Sequence, residues 1–351
     1  MTDPEGYAVY EGPAAGDTIE IEGIQPWSHA APVLYHAVLT LRDADGVLQE
    51  VVPYDIGFRR FEMINGVMCL NGERVVFNGV NRHEWNADRG RAIGADDMHA
   101  AMAVFKKNNI NAVRTCHYPD QSLWYDLCDR NGIYMIDETN LESHGSWQKL
   151  GAVEPSWNVP GSLPEWKDCV VDRARSMFER DKNHAAVLIW SCGNESYAGE
   201  DILAMSQFFH DHDPGRLVHY EGVFHCRAFD AISDMESRMY AKPWEIREYL
   251  ESHPKKPFIL CEYMHDMGNS LGGMESYVRL ADEFDQYQGG FIWDYMDQAL
   301  RHTDALGRSV LGYGGDLRTA TPITTSAATA LSTPTVPRSP PCRTCATGTT
   351  P

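Results

Sequence analysis

Two glutamates stand at the ends of apolar runs. "VLIWSCGNES" (187–196) delivers Glu195 straight after a buried-type stretch and beside Asn194, while "FILCEY" (258–263) pushes Glu262 to the lip, with His265 three residues on. A lone glutamate in such a place is commonly a helix cap or a surface ion partner. Two of them, on separate strands and each in its own polar cluster, point to catalysis. Cleaving a glycosidic bond needs one carboxyl that holds a proton for the leaving oxygen and one ionised carboxylate that attacks the anomeric carbon. "NLESHG" (140–145) adds Glu142 and His144 two residues apart. That is half of a divalent-metal site, whose oxygen-rich ligation with one imidazole suits Mg²⁺ or Mn²⁺ better than structural zinc. From spacing alone, a hydrogen-bonded loop histidine is the plainer alternative. Trp85, Trp147 and Trp293 offer either platforms for sugar rings or ordinary core packing.

The elements that must position these groups follow a regular rhythm from about residue 63. Short β-rich runs begin at "RVVFNGVNRHE" (74–84), "NAVRTCHYP" (111–119), "IYMIDETNLESHG" (133–145) and "AAVLIWSCGNES" (185–196). They continue with "RLVHYEG" (216–222), "AISDMESRMY" (231–240), "PFILCEYMHDMGN" (257–269) and "GGFIWDYMDQ" (289–298). Most are followed by helical patterns, such as 96–109, where Met98, Ala101, Met102 and Phe105 share one face. Eight strands in this βα order close most naturally into a (β/α)₈ barrel. The rival, a doubly wound open sheet, usually has a phosphate-binding glycine loop after its first strand, and "NGVNRHEW" is not one. In a barrel, reacting groups project from the C-terminal ends of strands. There the sequence sets Asn81, Arg82, His83 and Glu84; His117 and Tyr118; Asp137 and Glu138; Asn194 and Glu195; Tyr240; Glu262 and His265; Trp293 and Asp294.

Ahead of the barrel, residues 1–62 alternate in short strands, with "DADG" (43–46) as a hairpin turn. A stretch of this size buries little core by itself and reads as the end of a β-sandwich. Behind the barrel, residues 318–351 hold no Asp, Glu, Lys or aromatic and are mostly Thr, Pro, Ala and Ser, the composition of a disordered tail. Rereading the codons of 320–330 from the third base of the first permits Asp-Thr-Asp-Tyr-Asp-Phe-Ser-Gly-Asn-Gly, so a frameshift near residue 318 is the expectation, and Cys342 and Cys345 are then no metal or redox motif. The gene's nucleotide sequence decides it.

The chain of 351 residues is 43% hydrophobic and carries a formal charge of −20, which argues against nucleic acid or an anionic membrane as partner. The first residues show no secretory signal, and no apolar run approaches the ~20 residues that span a bilayer. Nine cysteines without a regular framework, among them Cys128, Cys169, Cys192 and Cys261 in apolar stretches, read as buried thiols of a cytoplasmic protein.

"GVNRHEWN", "NAVRTCHYPD", "WYDLCDRNGIYMIDETNLESHG", "GNES", "CEYMHDMGNSLGG" and "QGGFIWDYMDQ" together resemble the glycoside hydrolase family 2 β-galactosidases, in order, from about residue 25 to Asp316. The resemblance implies a catalytic (β/α)₈ barrel at 63–316 behind a remnant immunoglobulin-like sandwich at 1–62, with the tail from 317 to 351 outside both. It implies retaining hydrolysis of terminal β-D-galactosides, with Glu195 as acid/base and Glu262 as nucleophile. By the same carry-over Glu142, His144 and Glu195 would hold Mg²⁺, and His83, His117, Asn194, Tyr240, His265 and Trp293 would line the galactose subsite. The family's N-terminal jelly roll and C-terminal sandwich domains have no counterpart here, and with them and the altered tail go its Na⁺ ligands. The alternatives are therefore an inactive fragment and a related β-glucuronidase. Beyond a β-galactoside, the expected partners are further copies of the chain or a complementing chain.

Overall fold

A computed structural model describes residues 1–13, 18–147, 158–266, 270–304 and 306–313. The N-terminal part contributes an antiparallel hairpin, β1 (Tyr35–Arg42) and β2 (Leu48–Ile56). Its turn is closed by the Asp43 carboxylate, which accepts from the backbone N–H groups of Asp45 and Val47, so "DADG" does what its turn residues allow. A small antiparallel sheet follows: β3 (Phe61–Ile64), β4 (Val67–Leu70) and β5 (Glu73–Arg74).

Eight parallel strands then form the barrel: β6 (Phe77–Arg82), β7 (Ala112–Thr115), β8 (Tyr134–Glu138), β9 (Val187–Ser191), β10 (Leu217–His219), β11 (Glu236–Met239), β12 (Phe258–Tyr263) and β13 (Tyr287–Ile292). They pair in chain order, and β13 returns to β6. Ladder bonds run between all neighbours except β10 and β11. That seam is held instead by the backbone N–H of Asp234 on the Val218 carbonyl (2.8 Å) and by the His219 ring on the Ser237 hydroxyl (2.8 Å). A hairpin of β14 (Leu300–Thr303) and β15 (Ser309–Gly312) follows the last barrel strand.

The eight runs read from the sequence are these eight strands, and the intervening helical patterns form α1 (Ala95–Lys107), α2 (Ser122–Asn131), α4 (Pro164–Asp181), α5 (Glu200–His212), α6 (Pro243–Glu251) and α7 (Glu275–Glu283), while a short α3 (His144–Trp147) begins inside the run read as 133–145. Helix α1 buries Met98, Ala101, Met102 and Phe105 as its pattern demands, each large side chain contributing about 1.5–3 kcal/mol by leaving water. Helix α2 stops at Gly132, whose left-handed φ of 67° and close approach to the His29 backbone leave no room for a Cβ. Between β10 and β11 there is no full helix, only two 3₁₀ segments, Glu221–His225 and Arg227–Ile232.

The barrel interior changes character along its axis. Phe77 and Tyr134, at the starts of their strands, meet edge-on with centroids 6.3 Å apart, and the Phe291 ring fills the space left by Gly79. Toward the C-terminal ends the inward residues turn polar: Asn81, Arg114, Glu138, Ser191, His219, Ser237 and Glu262, all buried. Among the described cysteines Cys128, Cys192 and Cys261 are buried as expected, but Cys169 is exposed. It sits on a solvent-facing turn of α4, where its apolar sequence neighbours belong to the other side of the helix. The residues from 314 onward, with the frameshift expectation and the Cys342/Cys345 pair, lie outside the described residues, as does the side chain of Trp147.

Candidate active site

The centre of the mouth is a guanidinium. Arg114 sits on β7, whose four residues are all buried, and its side chain has no solvent exposure. Its Nε donates to Glu138 Oε2 (2.6 Å), Nη1 to Glu262 Oε1 (2.9 Å) and to Asn81 Oδ1 (3.0 Å), and Nη2 to Asn194 Oδ1 (2.8 Å). Burial opposes its charge, yet the surrounding carboxylates, Glu138 first, hold it protonated well above its ordinary range. A planar fork can serve four acceptors at fixed angles in a way that an ammonium cannot.

Glu262 is shared between that fork and β11. Its Oε1 accepts from Arg114, and its Oε2 accepts from the Tyr240 hydroxyl at 2.7 Å. The sequence puts Glu262 at an exposed lip; the structure buries it, with a side chain only 6% exposed. The physical reason is that β12 runs one residue further, to Tyr263, so Glu262 faces the barrel axis rather than the loop. The phenol of Tyr240 is pushed upward by burial and then by the Glu262 charge, and so remains a hydrogen-bond donor.

His117 supplies the next wall. Its Nδ1 lies 2.7 Å from Glu138 Oε1 and its Nε2 3.9 Å from Glu262 Oε1. The ring stacks on Trp293 at 5.2 Å and 8°. His83 stands edge-on to both of these rings, at 5.8 and 5.5 Å, with its Nδ1 3.2 Å from the Tyr118 hydroxyl. Burial, and then His117, lower its proton affinity well below the ordinary imidazole range, so it is neutral at neutral pH. His265 lies beside Tyr240 with ring centroids 5.7 Å apart. Glu138 is held ionised by Arg114 and His117 despite complete burial.

Glu195 occupies the other side. His144 Nδ1 lies 2.5 Å from its Oε2 and 3.6 Å from Glu142 Oε1, and Asn194 Nδ2 donates to Glu142 Oε1 at 3.3 Å. A chain of contacts thus runs from Glu262 through Arg114 and Asn194 to Glu142, His144 and Glu195. Burial first, and the Glu262 charge second, raise the proton affinity of the Glu195 carboxyl. One carboxylate pinned by a guanidinium, facing one that favours its proton, is the asymmetry that acid–base chemistry needs. One donor atom each from Glu142, His144 and Glu195 lies within 4.8 Å of the other two. That oxygen-rich set with a single imidazole fits a hard divalent cation.

Glu142, His144, Asn194, Glu195, Tyr240, Glu262, His265, His83, His117 and Trp293 meet at this mouth, whereas Arg82 turns outward to Asp120 and the Trp124 ring and Asp137 accepts from the Tyr125 hydroxyl. Trp85 donates its indole N–H to the Ala299 carbonyl (2.9 Å). Sequence reasoning missed Arg114 and, at the end of β10, Glu221. A signal for Arg114 existed: a charged residue inside a continuous buried strand must be paired.

Fold and mouth together define a (β/α)₈ barrel with paired carboxylates at its C-terminal face. The chain belongs to the glycosyl hydrolases family 2: that family's TIM barrel domain matches residues 61–329, and a second domain described as glycosyl hydrolases family 2 matches residues 4–59. It is 63% identical over 290 residues to a β-galactosidase of Halalkalibacterium halodurans, covering 83% of this chain and 29% of that protein. It is 58% identical over 299 residues to a β-galactosidase large subunit of Lactobacillus acidophilus, covering 84% and 48%. The chain therefore spans less than half the length of these curated relatives. A solved β-glucuronidase of Ruminococcus gnavus shares the fold, with a TM-score of 0.79 at 19% identity over 99% of this chain and 62% of that one. Among the described residues no helix is long and apolar enough to cross a membrane.

Proposed function

We propose that this barrel hydrolyses terminal β-D-galactosides with retention, Glu262 acting as nucleophile and Glu195 as acid/base. The observation that carries the reading is the asymmetric pair: Glu262 held by Arg114 and Tyr240, opposite a Glu195 whose proton affinity is raised by burial and by Glu262 itself.

Glu262 attacks the anomeric carbon while Glu195 delivers its proton to the departing oxygen, giving a covalent galactosyl-enzyme and a free alcohol. Glu195, now ionised, takes a proton from water as that water attacks the same carbon, and Glu262 leaves as carboxylate. Arg114 Nη1 and the Tyr240 hydroxyl each donate to one Glu262 oxygen and so orient the carboxylate before attack. Trp293, with His117 stacked on it, gives the sugar ring an apolar wall, and His83, His117, Asn194 and His265 supply polar contacts around it. Glu142, His144 and Glu195 would hold Mg²⁺, which when bound steadies the acid/base carboxylate and tunes its proton affinity.

The galactoside reading is preferred over a glucuronide because the relatives of high identity are named β-galactosidases. In addition, the two buried guanidiniums of β6 and β7 are already paired, Arg114 with Glu138 and Glu262, and Arg82 with Asp120. Relatives named large subunits support a complementing polypeptide as a further partner, and the free buried thiols Cys128, Cys192 and Cys261 support a cytoplasmic enzyme. The test is Glu262→Gln in the full chain, assayed on aryl galactosides and glucuronides alongside the parent. The expected result is galactoside turnover by the parent and neither turnover nor trapped glycosyl-enzyme in the variant. Normal turnover by the variant removes Glu262 from the nucleophile role, and no turnover by the purified parent favours an incomplete fragment.

A further inference from the structure

The backbone at Glu195 is unusual for its residue type. Its φ is 37°, in the left-handed region that a non-glycine residue occupies only when its surroundings insist. It lies two residues after Gly193, and its neighbours are pinned one by one. The N–H of Asn194 donates to the Leu141 carbonyl (2.8 Å) and that of Ser196 to the Tyr220 hydroxyl (3.0 Å). The Tyr220 hydroxyl donates in turn to the Ser196 carbonyl. The N–H of Glu195 itself is held by a side chain that the mechanism above does not use: Glu221 Oε1 accepts it at 2.8 Å.

Glu221 is 3% exposed and sits directly beyond β10, where the first 3₁₀ segment replaces a helix. Its second oxygen, Oε2, is buried with no hydrogen-bond partner among the described residues. A carboxyl group buried at this depth with one oxygen unsatisfied is costly to the fold. Its one side-chain hydrogen bond to another part of the chain goes to the residue whose carboxylate must sit correctly at the mouth.

We infer that Glu221 is a positioning residue for the acid/base carboxylate, its Oε1 accepting the Glu195 N–H and so fixing the left-handed turn that aims the Glu195 side chain at the leaving oxygen. The inference rests on the reading of Glu195 as acid/base. With Tyr220, it gives the fifth barrel strand a function at a mouth to which the sequence assigned that strand nothing. The φ/ψ strain at Glu195 is held in place by acceptors on the neighbouring strand, and loss of one lets the turn relax toward an ordinary extended or helical conformation. A carboxylate displaced by about 1 Å loses on the order of a hundredfold in rate. The loss falls on proton transfer to the leaving group and not on sugar binding.

The test compares Glu221→Leu, which removes the acceptor at similar volume, with Glu221→Gln, which keeps it, each in the full chain after a thermal melt establishes folding. Leu should lower kcat on alkyl galactosides roughly a hundredfold, with KM little changed, and should lower kcat far less on aryl galactosides that need no proton. Gln should restore the parent profile. A folded Leu variant with the parent's leaving-group dependence overturns the inference, as does a Gln variant as impaired as Leu. Hydrogen–deuterium exchange of the peptide covering residues 192–198 separates this outcome from failure of the galactosidase reading, because it needs no turnover. Exchange at Glu195 should accelerate in Leu and not in Gln, and equal protection in all three chains also overturns it.

Discussion

Replacing Arg114 by methionine removes four hydrogen bonds and one buried positive charge while keeping much of the volume. Glu138 then keeps only His117 and Ser191 as partners, and Glu262 only the Tyr240 hydroxyl, with no cation in contact with Glu262. Breaking a buried ion pair by deleting one partner costs about 3–5 kcal/mol. The Glu138 carboxylate can escape by binding a proton. At pH 7, against its ordinary value of 4.5, that costs about 3.4 kcal/mol, at about 1.36 kcal/mol per pH unit. The sign of the pH dependence follows. In the parent, Glu138 is held below its ordinary value, so its contribution to stability is full at neutral pH and is lost only as pH falls through that lowered value. In the variant the Glu138 carboxyl, buried without its guanidinium, titrates above its unfolded value. Its penalty is therefore largest at neutral pH and shrinks on acidification, by about 2 kcal/mol between pH 7 and pH 5.5. Urea unfolding at both pH values reads this directly. The expected result is a loss of about 3–5 kcal/mol at pH 7, partly recovered at pH 5.5, with turnover abolished at both. A variant as stable as the parent at pH 7, or one whose deficit does not shrink on acidification, refutes the role given to the guanidinium.

Glu195→Gln should slow release of poor leaving groups by about 10²–10⁴-fold and be partly rescued by azide; indifference to the leaving group counts against an acid role. His144→Ala should abolish Mn²⁺ binding as read by electron paramagnetic resonance, and chelation should lower turnover of the parent; unchanged Mn²⁺ binding in the variant removes His144 from the ligand set. Gly79→Ala places a Cβ 2.3 Å from Phe291 Cδ1 and should destabilise the barrel by about 1–3 kcal/mol in chemical unfolding, with the mouth chemistry unaltered in the folded fraction.

The barrel was legible because its strands carry continuous apolar runs of strand length that end in polar clusters, and the helices between them keep a strict 3.6-residue face. The mouth was legible for the same reason, since the turn after β9 that carries Glu195 and the end of β12 that carries Glu262 both lie at the C-terminal face of the barrel. Strand length decided which, and one extra residue in β12 turned an expected lip residue into a buried one. Arg114 was passed over because periodicity treats a charged residue as outward-facing, whereas pairing with Glu138 lets it face in. Glu221 could not be read at all. Its contact is to a backbone N–H on another strand, and nothing in the local sequence marks an acceptor for a turn 26 residues away. Cys169 shows the converse, an apolar neighbourhood in sequence that the helix splits between core and water.

The hairpin of β1 and β2 bears on how the molecule behaves in a test tube. Val38 and Val51 look out from one side of the ribbon and Leu39, Leu41 and Tyr54 from the other, all more than a third exposed. Oily surface of that extent seeks cover, and what keeps neighbouring molecules apart is repulsion between bodies each carrying a charge near −20. Dilute buffers preserve that repulsion over tens of ångströms, and molar salt collapses it to about 3 Å. The protein should therefore stay dispersed in low salt and self-associate through this ribbon as salt is raised, which makes ionic strength the first variable to fix when handling it.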